Sequence, residues 1–359
     1  MGASSDQDFG TIARDLLGWY DRHARVLPWR SAPGAPPRAD DQNWPYRVWL
    51  SEVMLQQTTV AAVIPYFETF TRRWPDVMAL AAADEAEVMA AWAGLGYYAR
   101  ARNLIACARV VAAAGGRFPD SEAALRELPG LGAYSAAAVA AIAFGRPAVV
   151  IDANVERVVS RLFAIDLPQP KARPSIRRAA AAITPSARAG DFAQAMMDLG
   201  SAICTTRAPR CQMCPLATHC QARAQGEPER FPVKAPKRAK PERHGTCFWI
   251  ERDGAVRLVR RAAKGMLGAM RALPDDGWSA RGDGSGTATR EGRWTPAGVV
   301  SHSFTHFDLR LAVLLDSAAH SVSLESEGEW WPLDRLDDAG LPTVFAKAAR
   351  LAQAAKGEA

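Results

Sequence analysis

The sequence predicts two dissimilar domains, an all-α domain followed by a mixed α/β domain, and three observations carry that reading. From about Asp8 to Arg223 the chain is alanine-rich, with apolar residues every three or four positions and breaks at Pro and Gly, the period of packed helices. From Glu229 to Arg243, six basic residues stand against two acidic ones with three prolines between them, the composition of an extended basic linker. Beyond it, short apolar and β-branched runs separated by turn residues read as strands. At 359 residues the chain also exceeds what one core usually holds.

Taken in order, the helical spacing predicts helices over Asp8–Ala24, Tyr46–Thr59, Ile64–Arg73, Asp84–Ala91, Arg100–Ala114, Ser121–Leu128, Tyr134–Phe144, Ala153–Phe163, Lys171–Ile183 and Asp191–Ile203. After the linker, strands are expected over His244–Ile250, Ala255–Arg260, Gly298–Ser303, Leu309–Leu315 and Ser321–Leu324, closed by a helix over Leu341–Ala354. The expected domains are therefore 1–228 and 244–359, joined by a linker over 229–243. The longest apolar run, Ala136–Phe144, is too short to span a membrane, and the opening residues lack the pattern of a secretory signal. A formal charge of +6 favours polyanionic partners at low salt. The chain reads as a cytoplasmic protein.

Cys204, Cys211, Cys214 and Cys220, with gaps of six, two and five residues, fit one metal centre. Four thiolates are the ligand set of zinc or of an iron-sulfur cluster, and having a single close pair tilts the spacing toward a cluster. Disulfides are disfavoured in a chain of this size without a secretory signal. Cys107 and Cys247 stand alone in apolar settings and read as small buried hydrophobes.

Leu128-Pro129-Gly130-Leu131-Gly132 lies between two expected helices, where Gly130 and Gly132 permit a sharp turn with exposed amides, able to hold a phosphate at the following helix start. Eighteen residues after Tyr134, the run Val150-Ile151 delivers Asp152 to a helix start, where its plainest role is an N-cap. Together the hairpin, the aspartate and the cysteine spacing resemble the endonuclease III superfamily of helix-hairpin-helix DNA glycosylases over roughly the first two thirds of the chain. The resemblance implies that the hairpin grips the DNA backbone, that Asp152 acts at the sugar and that the cysteines hold a [4Fe-4S] cluster. It also places Tyr134 where bifunctional lyases of the superfamily carry a lysine. A phenol forms no imine, so a monofunctional hydrolase using water is implied.

Leu27-Pro28-Trp29-Arg30 and Tyr46-Arg47-Val48-Trp49-Leu50-Ser51-Glu52-Val53-Met54-Leu55-Gln56-Gln57-Thr58 are similar to the MutY family within that superfamily. The helical wheel buries Trp49, Leu50, Val53 and Met54 and leaves Glu52 and Gln56 on the other flank. The resemblance makes Glu52 the general acid that protonates a flipped adenine, with Asp152 ionised beneath the sugar and Tyr134 and Asn154 in support. It implies that Trp29, Arg30, Leu55, Gln57, Leu95 and Tyr97 contact DNA or base, Gln57, Leu95 and Tyr97 as fillers of the gap left by the flipped base. The Pro-rich segment Ser31–Asn43 is an insertion relative to the family pattern.

In the second domain, Lys264-Gly265-Met266-Leu267-Gly268-Ala269-Met270 resembles the family's Nudix-like turn, although Arg271-Ala272-Leu273-Pro274 departs from it. The Glu-rich helix of a Nudix hydrolase is missing from the sequence, so recognition without pyrophosphatase activity is expected. His302-Ser303-Phe304-Thr305-His306-Phe307 resembles the loop that senses oxidised guanine, with Thr305 in place of serine and a hydroxyl retained. Phe304, Thr305 and His306 are the implied contacts. The implied substrate is duplex DNA bearing adenine opposite 8-oxoguanine or guanine. Two readings compete with it: a glycosylase removing thymine or uracil opposite guanine, and a non-enzymatic cluster-bearing DNA-binding regulator.

Overall fold

The structure, a computed structural model, describes residues 9–36, 38, 41, 43–235, 239–262, 266–268, 270–287, 293–316 and 328–357. It divides into two compact units, Met1–Pro236 and Lys237–Ala359. Among the described residues no helix is long and apolar enough to cross a membrane.

The first unit is helical: α1 (Phe9–His23), α2 (Trp44–Leu55), α3 (Val60–Arg73), α4 (Val77–Ala82), α5 (Glu85–Ala91), α6 (Ala99–Ala113), α7 (Glu122–Arg126), α8 (Ala133–Phe144), α9 (Ala153–Leu162), α10 (Arg173–Ile183), α11 (Ala189–Ala202) and α12 (Gln221–Ala224). Two cores result. One gathers α2, α3, α6 and α8 around Trp49, Leu50, Phe70 and Leu104; the other packs α1, α9, α10 and α11 through Leu16, Val159, Ile176 and Leu199. The alanines of α8 let it lie close against α2, with Ala136 to Ala141 wholly buried. Gly145, at φ 66°, ends α8 and returns its N–H to the Ala140 and Ala141 carbonyls. α4 is absent from the sequence expectation, six residues being too few to show a period.

The expected helix over Tyr46–Thr59 stops at Leu55, because the backbone turns into the left-handed region at Gln57, φ 57°. α2 is also buried nearly all round rather than on one stripe. Glu52, which the helical wheel puts on the flank away from the apolar stripe, is only 5% exposed, since α2 is the central helix and its neighbours cover both flanks.

The second unit holds β1 (Glu242–Trp249), β2 (Glu251–Arg252), β3 (Ala255–Arg260), β4 (Arg271–Ala272), β5 (Trp294–Ser303), β6 (Asp308–Asp316), β7 (Glu329–Pro332) and α13 (Thr343–Gly357). β6 pairs parallel with β1 and antiparallel with β5, giving the order β1-β6-β5, while β3 pairs antiparallel with β2, β4 and β7. Cys247, Trp249, Leu258, Trp278, Leu311 and Phe345 fill the core between sheet and helix. The strand expected over Ser321–Leu324 lies outside the described residues, as do Lys264, Gly265 and Ala269 of the Nudix-like turn.

The division between the units, after Pro236, falls inside the stretch expected as linker, and the described ends of that stretch are claimed by structure. Phe231 is 2% exposed and its carbonyl accepts from Arg161 Nε at 3.0 Å, and the Val233 carbonyl accepts from Gln169 N–H at 3.0 Å. At the other end β1 already starts at Glu242. Prolines and charges give an extended stretch, but an extended backbone offers carbonyls that a neighbouring donor can use.

Candidate active site

α2 brings Glu52 to a small cleft of about 50 Å³ lined by Trp29, Arg30, Leu55 and Tyr134, with Arg25 and Gln194 also on its wall. Tyr134 reaches it from the first turn of α8. That helix begins after the hairpin, where Gly130 stands at φ 77° and an added Cβ would meet Asn103 Cβ at 2.7 Å, so a side chain there would clash. Gly132 precedes α8 without any side-chain cap, leaving the N-terminal amides open, as an anion site requires. Tyr134 Oη donates to Glu52 Oε2 at 2.6 Å. Burial pushes the Tyr134 hydroxyl well above its ordinary range, and the nearby Glu52 adds to this, so the phenol stays a donor.

Burial raises the Glu52 carboxyl from its ordinary value to about 6; the Tyr134 hydrogen bond and the Arg30 charge pull it back, and the charge of Asp152 pushes it up. Asp152 feels a different environment. It caps α9, accepting from Val155 N–H at 2.7 Å through one oxygen and from Asn154 Nδ2 at 2.8 Å through the other. Asp152 is not among the residues lining the cleft, and it is linked to Glu52 through its charge. Asn154 accepts in turn from Arg157 at 2.8 Å, and Arg157 also donates to the carbonyls of Gly200 and Cys204.

Arg30 is held by a residue the sequence reading did not name. Asp198, 2% exposed on α11, accepts from Arg30 through both oxygens at 2.7 and 3.0 Å and from Arg25 Nε at 2.7 Å. Burial works to raise Asp198, but the hydrogen bonds and charges of Arg30 and Arg25 outweigh it and hold the carboxyl below its usual range. A lone acid in the apolar run Ala195-Met196-Met197-Asp198-Leu199 was the available signal. Gln194, 6% exposed, was missed with it.

The remaining expected contacts separate by exposure. Gln57 is exposed and Tyr97 is 61% exposed at the tips of two turns. Leu55 is half-buried at the cleft, and Trp29 is buried edge-on to Phe67, ring centroids 5.1 Å apart. Leu95, expected as a gap filler, is buried in the core at 6% exposure; Tyr97 alone of that pair projects, because the turn at Gly94 and Gly96 folds Leu95 inward beneath it.

Cys204, Cys211, Cys214 and Cys220 are all free and partly buried. Arg161, 2% exposed, donates to Cys204 Sγ at 3.2 Å and to the carbonyls of Cys204, Thr205, Thr206 and Phe231. Burial, helped by the nearby charges of the other three cysteines, pushes the Cys214 thiol up to about 12. Among the described residues no three His, Cys, Asp or Glu side chains converge as the ligands of one ion do.

In the second unit the β5–β6 turn exposes Thr305 and His306. Phe304 supports them from below, stacked on Phe307 at 4.7 Å with the His302 ring edge-on at 4.5 Å. Lys240 Nζ donates to the Phe304 carbonyl at 2.6 Å and to Ser303 Oγ at 3.1 Å, pinning the turn.

Residues 50–181 match the model of the HhH-GPD superfamily base excision DNA repair protein, and residues 246–351 match that of the NUDIX domain. An adenine DNA glycosylase of Homo sapiens is 33% identical over 94% of this chain and 73% of its own length. One from Mycolicibacterium smegmatis is 41% identical over 60% of this chain and 70% of its own. Some relatives are longer: the chain spans 48% of the length of the Arabidopsis thaliana adenine DNA glycosylase. Among solved structures, a thermostable thymine-DNA glycosylase superposes with a TM-score of 0.54 at 26% identity, over 62% of this chain and all of that one. A helical glycosylase fold with a NUDIX-type domain after it, and relatives alike over most of both chains, establish that the chain belongs to the adenine DNA glycosylase family of base-excision repair enzymes.

Proposed function

We propose that the protein hydrolyses the N-glycosidic bond of adenine mispaired with 8-oxoguanine or guanine in duplex DNA, as a monofunctional enzyme. The observation that carries this reading is the 2.6 Å hydrogen bond between Tyr134 and a Glu52 that is 5% exposed. Bond cleavage places positive charge on the sugar and negative charge on the departing purine. Glu52, with its carboxyl raised to about 6, donates a proton to a ring nitrogen of the flipped adenine. Asp152, at the start of α9, faces the cationic sugar, and Asn154 fixes its orientation at 2.8 Å. Water completes the hydrolysis. Tyr134 occupies the place where an amine would otherwise attack, and it orients Glu52.

Arg30 and Trp29 line the pocket for the base, with Leu55 at its edge. Gln57 and Tyr97 enter the gap in the duplex; burial leaves Leu95 to support the turn from within. Gly130 and Gly132 present backbone amides to phosphate. Thr305 and His306, supported by Phe304, read the base opposite adenine. Phosphate contacts make binding fall steeply with salt.

Cys204, Cys211, Cys214 and Cys220 would hold a [4Fe-4S] cluster. The donor set fits: four sulfurs, one of them already receiving a hydrogen bond from the buried Arg161. When bound, the cluster fastens four positions of the loop together. Iron and sulfide in matching amounts, with visible absorbance, check this; a colourless zinc protein sinks it. The enzyme acts as a nucleoid-associated monomer.

The deciding assay offers duplexes with A opposite 8-oxoguanine, A opposite G, and T opposite G. Adenine is released from the first two, with no enzyme–DNA adduct trapped by borohydride. Release of thymine and not adenine overturns the reading.

A further inference from the structure

Arg100 stands in the first turn of α6, and its side chain turns inward between two loops that are distant in sequence. One guanidinium nitrogen donates to the carbonyls of Val53 and Met54, both at 2.9 Å, in the last turn of α2. The other donates to Thr58 Oγ1 at 3.2 Å and to the carbonyls of Leu95 at 3.1 Å and Gly96 at 3.4 Å. Its carbon lies 5.4 Å from the ring centroids of both Trp92 and Tyr97. A single planar fork therefore ties the turn 55–59 to the turn 94–98.

Each of those turns carries one non-glycine residue in the left-handed region: Gln57 at φ 57° and Tyr97 at φ 50°. Such a conformation is unfavourable for a residue with a Cβ and persists where its surroundings hold it. Both residues are exposed and project from their turns. Trp92 Nε1, donating to the Gly96 carbonyl at 3.1 Å, and Gln56 Nε2, donating to Ser135 Oγ at 3.1 Å, tie the same turns to the body of the helical unit.

We infer that Arg100 is a positioning residue that fixes the spacing of Gln57 and Tyr97, so that the two enter DNA as one rigid two-pronged wedge. This rests on the proposed role of those two side chains in the duplex. A wedge set before binding loses little conformational freedom on insertion, so more of the binding energy goes to unstacking the bases. Arginine suits the task because the two terminal nitrogens of its planar fork reach acceptors on both turns at once; a lysine ammonium cannot span both turns.

The test compares the full-length protein with R100K, R100Q and T58V, each folded by its melting curve. The probe is a duplex with adenine opposite 8-oxoguanine and 2-aminopurine next to the oxidised base. Binding is read by anisotropy, unstacking by 2-aminopurine fluorescence and excision by single turnover. R100K and R100Q are expected to bind while losing most of the fluorescence rise, and to excise roughly tenfold or more slowly, the scale of losing charged hydrogen bonds. T58V, which removes one acceptor, shows the same pattern more weakly and carries the test if the arginine variants do not fold. A full fluorescence rise in folded R100K, or in T58V where that variant stands in, overturns the inference. If Y97A loses the rise and R100K keeps it, only the role of Arg100 fails. If the unaltered protein gives no rise, the wedge reading itself fails.

Discussion

Glu52 and Asp152 are both carboxylates at the proposed site, set into their helices in opposite ways. Glu52 sits in the last turn of α2, where the backbone N–H groups are already committed, so burial has only the Tyr134 hydroxyl and the more distant Arg30 charge to oppose it. Asp152 sits at a helix start, where free N–H groups and the helix dipole favour a carboxylate, and it accepts from Val155 and Asn154. Burial in one case and helix capping in the other thus give the two carboxyls unlike surroundings.

The largest expected effects come from erasing either side of this contrast. Glu52→Gln and Asp152→Asn should each slow excision by about a hundredfold to ten-thousandfold while DNA binding persists, as single-turnover rates and anisotropy would show. An undiminished rate in either variant removes that residue from the chemistry. Next comes the clamp behind Arg30. Asp198→Asn leaves two arginines around a neutral buried group and should destabilise the first unit by about 3–5 kcal/mol in denaturant unfolding. Unchanged unfolding would mean that Arg30 finds another partner.

The pH profile sharpens the comparison with smaller effects. Glu52 acts in its protonated form, so excision should decline as pH rises through about 6. The Tyr134 hydrogen bond lowers that carboxyl, hence Tyr134→Phe should move the decline to higher pH. A shift to lower pH contradicts the assigned direction. Smallest is Thr305→Ser, which keeps the hydroxyl and removes a methyl. It should alter the ratio of rates on A opposite 8-oxoguanine and A opposite G by less than about tenfold, since a methyl contributes about 1 kcal/mol.

Much of this site is written in short motifs, because the hairpin, the capping aspartate and the α2 segment each place their residues through local backbone geometry. The helical order and four of the longer strands are legible for the same reason. What the sequence hides depends on contacts between distant segments. Glu52 reads as a flank residue on its own helix, and only the neighbours that close over α2 make it buried. Asp198 holds Arg30 from 168 residues beyond it, and no local pattern announces that pairing. Leu95 and Tyr97, two residues apart in a glycine-rich turn, look equally able to reach DNA until the turn's geometry buries one. β4 and β7 are short and gain their identity from pairing with β3.

Lys240 has a practical bearing on how the molecule can be divided. It lies ahead of the first strand of the second unit, yet its ammonium fastens the Ser303–Phe304 corner, and the neighbouring Pro241 carbonyl receives the Asp308 N–H at 3.1 Å. A recombinant fragment starting at residue 244, where the strand pattern first becomes plain, would omit both tethers and release the corner that carries Thr305 and His306. One starting at residue 239 would retain them.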